Sequence, residues 1–231
     1  MTEILRDGPS SPASPPGGYH VKLETVTGSG DDLALLSLLD RVQYHDPDGD
    51  AERAGIPPAS WPLFGLLWPS GHVLAGVMAT YAIAGKRVLE LGCGLGLASI
   101  VVHRRGGDVT ASDCHPLAAL FLTENLALNG LPVMKYSAAH WGRANPGLGR
   151  FDVIIGSDVL YERDDIGRLP DFIARHAMPS GEVLIVDPNR GNRSAFSKRM
   201  ASLGYALQHR ILKSPPGAAA QYSGQLLSYR R

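Results

Sequence analysis

From Trp68 onward, short apolar runs alternate with amphipathic segments of helical period. "RVLEL", "DVTASD", "VMKYS", "FDVIIGSDVLY" and "EVLIVDP" each read as a strand, and the intervening segments predict helices over 70–82, 97–105 and 116–129, one from Asp164, and one over 193–203. Ser70 is the expected cap of the first of these, Pro116 a first helical position, and Gly130 a helix stop. "YALQHRILK" and "GQLLSYRR" predict a terminal antiparallel hairpin. Strands alternating with helices give an α/β fold, a doubly wound and mostly parallel sheet covered on both faces.

The preceding segment is less regular. Residues 19–26 read as a strand, and Leu33, Leu36, Leu39 and Val42 fall on one face of a helix opening at Asp31 or Asp32. "HDPDGDAERAGIPPASWP" reads as a loop, because Pro and Gly break every period. The first 18 residues, rich in Pro, Ser and Gly, have too little apolar surface to order themselves. The expected organisation is a disordered tail at 1–18, an extension at 19–60 and one α/β domain at 61–231.

Composition narrows the partners. The 231 residues are 44% hydrophobic and 19% charged, with 22 basic and 22 acidic side chains, so charge gives no case for nucleic acid or a membrane surface. Apolar stretches are interrupted by Gly, His, Arg or Asp before the roughly 20 residues a bilayer requires, and the start has no export or organelle pattern. Two cysteines, Cys93 and Cys114, give neither a disulfide framework nor a metal-ligand spacing, which points to a reducing cytoplasm. A monomer without a metal is the expectation.

The chemistry is concentrated in "KRVLELGCGLGLAS", with Gly92, Gly94 and Gly96 at alternate positions after Glu90. A glycine-rich turn between a first parallel strand and the next helix brings backbone amides and the helix N-terminus close to a ligand. The second strand ends at Asp113, where a carboxylate can accept both hydroxyls of a ribose. Together these features point to an adenosine-containing cofactor. The dinucleotide fingerprint is G-x-G-x-x-G, whereas this turn is G-x-G-x-G with an acid just ahead. A carboxylate suits a cofactor ending in a free amino group and opposes a pyrophosphate.

"ELGCGLG" resembles the first motif of class I S-adenosylmethionine-dependent methyltransferases, acidic-x-G-x-G-x-G. "LWPSG" before it, "HW" at His140 and Trp141, and "FDVIIGSDVLYERD" after it resemble the family-16 branch, which includes protein-lysine methyltransferases with a D-x-x-Y motif, among them those acting on the electron-transfer-flavoprotein β subunit. The resemblance spans about residues 68–190 and implies a Rossmann-like, seven-stranded sheet with a C-terminal antiparallel hairpin. It assigns Glu90, Gly92, Gly94 and Gly96 to the amino-acid end of S-adenosyl-L-methionine and Asp113 to its ribose. His115 and Trp141 fall beside adenine, Ser157 near the cofactor, and Trp68 in a segment closing over it. Asp158 and Tyr161 match the D-x-x-Y pair beside the methyl group.

Each position also has a structural reading. Trp68 and Trp141 fit as core aromatics, Cys93 and Cys114 as small fillers, and His72 as a rim histidine. Glu162, Arg163 and Asp164 fit as a solvated helix start, and Asp187 and Asn189 as a tight turn or a substrate-side pair. A lysine amine, with a free pKa of about 10.4, must be neutral to attack. Asp158 is therefore expected to orient the acceptor rather than act as an obligatory base, with Tyr161 lining its channel. The expected activity is methyl transfer to an amine nitrogen of a protein lysine. A small-molecule amine as acceptor, or a cofactor-binding module without catalysis, are the alternatives.

Overall fold

The computed structural model describes residues 18–27, 30–161, 164, 167–213 and 222–231. The expected tail lies outside these residues through position 17, as do Glu162 and Arg163.

The five runs read as strands become β3 (Arg87–Leu91), β4 (Asp108–Asp113), β5 (Lys135–Ala138), β6 (Phe151–Ser157) and β7 (Ala177–Asp187). β8 (Ala206–Lys213) and β9 (Ser223–Arg230) complete a seven-stranded sheet in the order β5-β4-β3-β6-β7-β9-β8. The first five pair in parallel, and β9 enters antiparallel between β7 and β8. Helix α2 (Pro69–Thr80) leads into β3, and α3 (Leu97–Arg104), α4 (Ala118–Leu128), α5 (Arg168–His176) and α6 (Arg193–Ser202) lie between later strands. One core contains Leu74, Met78, Ile100, Val101 and Leu122 with Val88, Val153 and Leu184. A second contains Phe172, Ile173, Phe196 and Met200 with Leu89, Ile154 and Ile185. Two cores carried by different helices require apolar residues on both faces of the strands, which is why these strands read as continuous runs.

Chain order reverses at β3, whose neighbours are β4 and β6, and ligands of such sheets bind outside the strand C-termini at that reversal. Register aligns Leu91 with Ser112 and Gly156, Asp113 with Ala138, and Ser157 with Val186. The glycine turn, Asp113 and Asp158 therefore share one sheet edge.

The helix expected from Asp31 is instead a strand. β2 (Leu33–Leu38) pairs antiparallel with β1 (Val21–Val26), burying Leu33, Leu35 and Leu38 while leaving Leu39 and Val42 exposed. Its other edge is completed by two asparagines one helical turn apart, Asn125 on α4 and Asn129 at its C-terminal cap. Asn129 accepts from the Ala34 amide at 2.9 Å and donates to the Ala34 carbonyl at 2.7 Å; Asn125 does the same for Leu36 at 2.6 and 3.3 Å. These four bonds satisfy backbone groups that a helix would have paired internally, so tertiary context overrides the apolar period.

Smaller corrections follow from local sterics. The expected loop contains α1 (Asp50–Arg53) and a 3-10 helix, Pro58–Gly65. α2 starts at Pro69 with no side-chain cap, and Ser70 is buried against Tyr222, the two oxygens 3.2 Å apart. Pro116 falls in the turn before α4, and α5 starts at Arg168 rather than Asp164. Asp164 still serves that helix by accepting from the amides of Arg168 and Leu169, both at 2.8 Å. The stretch Pro58–Thr80 reaches a mean hydropathy of 1.3 over an 18-residue window, long and apolar enough by composition to cross a membrane. In the fold it is broken at Leu66, and its 12-residue α2 spans about 18 Å against a core of about 30 Å.

Candidate active site

The glycine turn is shaped first by the protein itself. Gly92, Gly94 and Gly96 have φ of 54°, 52° and 75°, the left-handed region in which side chains are strained. A Cβ on Gly94 would stand 2.6 Å from the Phe64 carbonyl oxygen, and one on Gly92 would stand 3.1 Å from Val159 and 3.8 Å from the Trp141 ring. The 3-10 helix and the residues after β5 and β6 thus press on the turn from outside.

Glu90, from β3, is buried, and its Oε2 accepts from the Ser99 amide at 2.8 Å and the Ser99 hydroxyl at 2.5 Å. It supplies from a distance the N-terminal cap that α3 lacks in its own sequence. Burial, added to by the charge of Asp113 and opposed by the Ser99 bonds, pushes Glu90 up to about 7. The Asp113 carboxylate accepts from the Gly94 amide and the His115 amide, each at 2.8 Å, which ties the turn to the end of β4. Burial also raises Asp113, against the pull of those amides.

The His115 ring stacks on Phe64, centroids 3.8 Å apart and planes 12° from parallel. Its Nδ1 accepts from the Leu117 amide at 3.2 Å, which places the neutral ring's proton on Nε2. Among the described residues that buried Nε2 has no partner, and burial drives His115 down to about 4. Trp141 is half-buried beside the turn, and its carbonyl accepts from Arg175 at 3.1 Å. Trp68 donates its indole N–H to the Leu63 carbonyl at 2.9 Å. A Cβ on Gly71 would stand 3.8 Å from the Ser157 hydroxyl, so the first turn of α2 meets the end of β6 there.

The buried Asp113 carboxylate, the Nε2 donor of His115 and the left-handed backbone of the glycine turn fit an adenosyl group with an amino-acid tail. The Asp113 carboxylate, bonded by the Gly94 and His115 amides and by Cys114, is the acceptor that ribose hydroxyls would share. Among the described residues no group of three His, Cys, Asp or Glu is placed to hold a metal.

On the other side of the edge lies a cavity of about 280 Å³ lined by Pro69, Ser70, Asp158, Pro188, Arg190, Tyr222 and Ser223. Asp158 holds a left-handed φ of 55°, donates its amide to the Val186 carbonyl at 2.9 Å, and binds Arg190 through two parallel bonds of 2.8 and 2.9 Å. Asp187 is fully buried; its Oδ2 accepts from the Arg190 amide at 3.0 Å, and among the described residues its Oδ1 has no partner. Asn189, with φ of 65°, accepts from Gln225 at 3.0 Å. Tyr161 is 45% exposed and does not line the cavity. His72 is exposed on α2, and burial pushes the Cys93 thiol well up. Arg190 escaped the sequence reading, although it lies in the same "DPNRGN" turn as Asp187 and Asn189. A larger cleft, about 560 Å³, opens at the opposite sheet edge along residues 82–87 and 105–108.

The same architecture occurs in ribosomal protein L11 methylase from Lactobacillus delbrueckii subsp. bulgaricus, at a TM-score of 0.54 and 19% identity over 70% of this chain and 78% of that one. It occurs also in magnesium protoporphyrin IX methyltransferase from Synechocystis PCC 6803, with S-adenosylmethionine bound, at 0.53 and 19% over 69% and 76%. Fold and site together define a class I S-adenosylmethionine-dependent methyltransferase. Within that class, the model of the lysine methyltransferase family matches residues 64–202, and the chain belongs to this family.

Among curated proteins, the mouse electron transfer flavoprotein beta subunit lysine methyltransferase is 33% identical over 184 residues, 75% of this chain and 68% of its own length. The Arabidopsis thaliana calmodulin-lysine N-methyltransferase is 28% identical over 151 residues, 59% of this chain and 49% of its own length.

Proposed function

We propose that this enzyme methylates the side-chain amine of a lysine in a protein, and that it does so as a cytoplasmic monomer. The observation that carries the reading is Asp158 of the D-x-x-Y sequence standing in a cavity at the sheet edge, across β6 from the glycine turn. The two curated relatives named above are both named for a lysine in a protein.

When bound, S-adenosylmethionine supplies a methyl group on a positively charged sulfur, already activated for in-line displacement by an amine lone pair, with the bonding electrons leaving on sulfur. Asp113 would hold the ribose hydroxyls, while Trp141 and His115 would border the adenine. The amides of the glycine turn, with Glu90, would hold the amino-acid end. Ser157 and Trp68 would close the site between β6 and α2. On the acceptor side Asp158 would orient the nitrogen, and Tyr161 would line the approach from solvent. The protein's contribution is geometry and exclusion of water rather than acid catalysis.

The test is incubation of purified enzyme with methyl-labelled cofactor and an unmethylated cell lysate, followed by peptide mapping of labelled bands. Label on a lysine of one or a few proteins, lost with Asp158→Ala while cofactor affinity is retained, is the expected result. Label confined to small amines would replace the protein acceptor with a metabolite, and tight cofactor binding with no transfer would leave a binding module.

A further inference from the structure

The acceptor cavity contains a full positive charge that an ammonium-binding site does not call for. Arg190 grips Asp158 through Nε and NH2 at 2.8 and 2.9 Å, the side-by-side geometry specific to a guanidinium. The Asp158 side chain keeps only 10% of its exposure. Both ends of the pair stand on constrained backbone: Asp158 has a left-handed φ of 55°, and Asn189, preceding Arg190, one of 65°. The Arg190 amide is itself anchored on the buried Asp187 carboxylate.

Among the described residues, the charged and titratable groups around Asp158 come from every neighbouring element. Arg190 lies in the turn after β7, Asp187 at the end of β7 with Arg193 of α6 acting on it, and Tyr222 ahead of β9; Ser70 of α2 is neutral. Two carboxylates are thus balanced by two guanidiniums.

This balance bears directly on the reaction. A carboxylate without a counter-charge attracts the acceptor as an ammonium and stabilises that form, and the ammonium has no lone pair to attack with. We propose that Arg190 is a positioning residue that fixes the Asp158 carboxylate and cancels its charge, so that an acceptor amine is oriented by Asp158 without being held protonated. Burial in the cavity then favours the neutral amine, and its proton departs to solvent before transfer. The proposal rests on the lysine reading above.

The test measures kcat and KM between pH 6.5 and 10 for wild type, Arg190→Lys, Arg190→Gln and the double variant Asp158→Asn/Arg190→Gln. The acceptors are the labelled protein recovered in unmethylated form and Nα-acetyl-lysine amide. Cofactor affinity and thermal unfolding establish that each variant is folded.

For Arg190→Gln, the acid limb of the kcat profile is expected to move up by roughly one pH unit or more. The rate then falls about tenfold near pH 7.5, recovers at high pH, and is accompanied by no rise in KM. Arg190→Lys keeps the charge and is expected to leave the limb in place. The double variant restores neutrality and is expected to return the limb to its wild-type position, even with a lower kcat. A uniform loss of kcat across the pH range in Arg190→Gln, or a limb that stays shifted in the double variant, would overturn the proposal. A wild-type enzyme that methylates neither lysine acceptor removes the lysine reading and this proposal together, whereas an active wild type with an unmoved limb removes this one alone.

Discussion

Glu90 and His115 place two opposing titrations at one end of the sheet, and separating them tests the electrostatics of the site before any substrate is known. Glu90 is 3% exposed and is raised from 4.5 to about 7, so below 4.5 it is protonated in both folded and unfolded chains. Between 4.5 and 7 the unfolded chain gives up a proton that the folded chain retains, and stability falls as pH rises. At about 1.4 kcal/mol per pH unit, the full effect is about 3 kcal/mol, reached above pH 7. His115, 4% exposed and lowered from 6.5 to about 4, works the other way. The unfolded chain binds a proton between 4 and 6.5 that the folded chain refuses, so stability rises with pH by about 3 kcal/mol. In the wild type the two slopes overlap and largely cancel.

Glu90→Gln removes one of them. Its amide oxygen can still accept from Ser99, and any cost of placing the NH2 group is the same at every pH. Relative to wild type, the variant is expected to gain stability steadily from pH 4.5 to 7, ending about 3 kcal/mol higher than its pH 4.5 offset. For a chain of this length that is roughly 6–12 °C in Tm. His115→Asn keeps an acceptor for the Leu117 amide and is expected to show the mirror image, with its deficit smallest at pH 4 and largest above 6.5. Thermal unfolding by circular dichroism at four pH values reads both. A difference between wild type and Glu90→Gln that stays constant with pH would refute the claim that Glu90 is held protonated by burial.

Four further outcomes follow from the same contacts. If Glu90 also meets the cofactor's amino group, binding at pH 7 should expel about half a proton in wild type and none in Glu90→Gln, read by calorimetry in two buffers of different ionisation enthalpy. Asp113→Ala should weaken cofactor binding by roughly a hundredfold or more, since two bonds to a charged group are lost, with calorimetric titration as the check. Gly94→Ala meets the Phe64 carbonyl at 2.6 Å in a left-handed conformation, and it should cost about 2 kcal/mol or more in urea unfolding. Asn129→Leu leaves the amide and carbonyl of Ala34 unpaired at the edge of β2, and should speed hydrogen exchange there selectively at about 1–3 kcal/mol of lost protection.

The central strands were legible as short apolar runs between turn residues, and β8 with β9 as a terminal pair of strands that antiparallel pairing completes. "LALLSL" was not, since an apolar hexamer fits a helix face as well as a strand. What decides it is Asn125 and Asn129, on a helix about 90 residues further along, which take the place of a missing strand at the edge. The glycine turn and Asp113 were legible from their spacing. That the glycines clear a path for Phe64 and Val159 was not, because those contacts join distant parts of the chain.

Arg190 marks where reading residue types one at a time stops. Asp158 was visible through its motif and Asp187 through its strand end, but the ion pair depends on β6 and β7 being neighbours with Ser157 opposite Val186. Once that register is known, the turns after the two strands share the sheet edge, and a guanidinium in one falls within reach of a carboxylate in the other. Each oxygen of Asp113 accepts from a backbone amide, Gly94 on Oδ2 and His115 on Oδ1, while each oxygen of Asp158 accepts from the side chain of Arg190. An acceptor at Asp158 must therefore share that carboxylate with a side chain or displace it, whereas a ribose at Asp113 must share its carboxylate with backbone amides fixed by the turn.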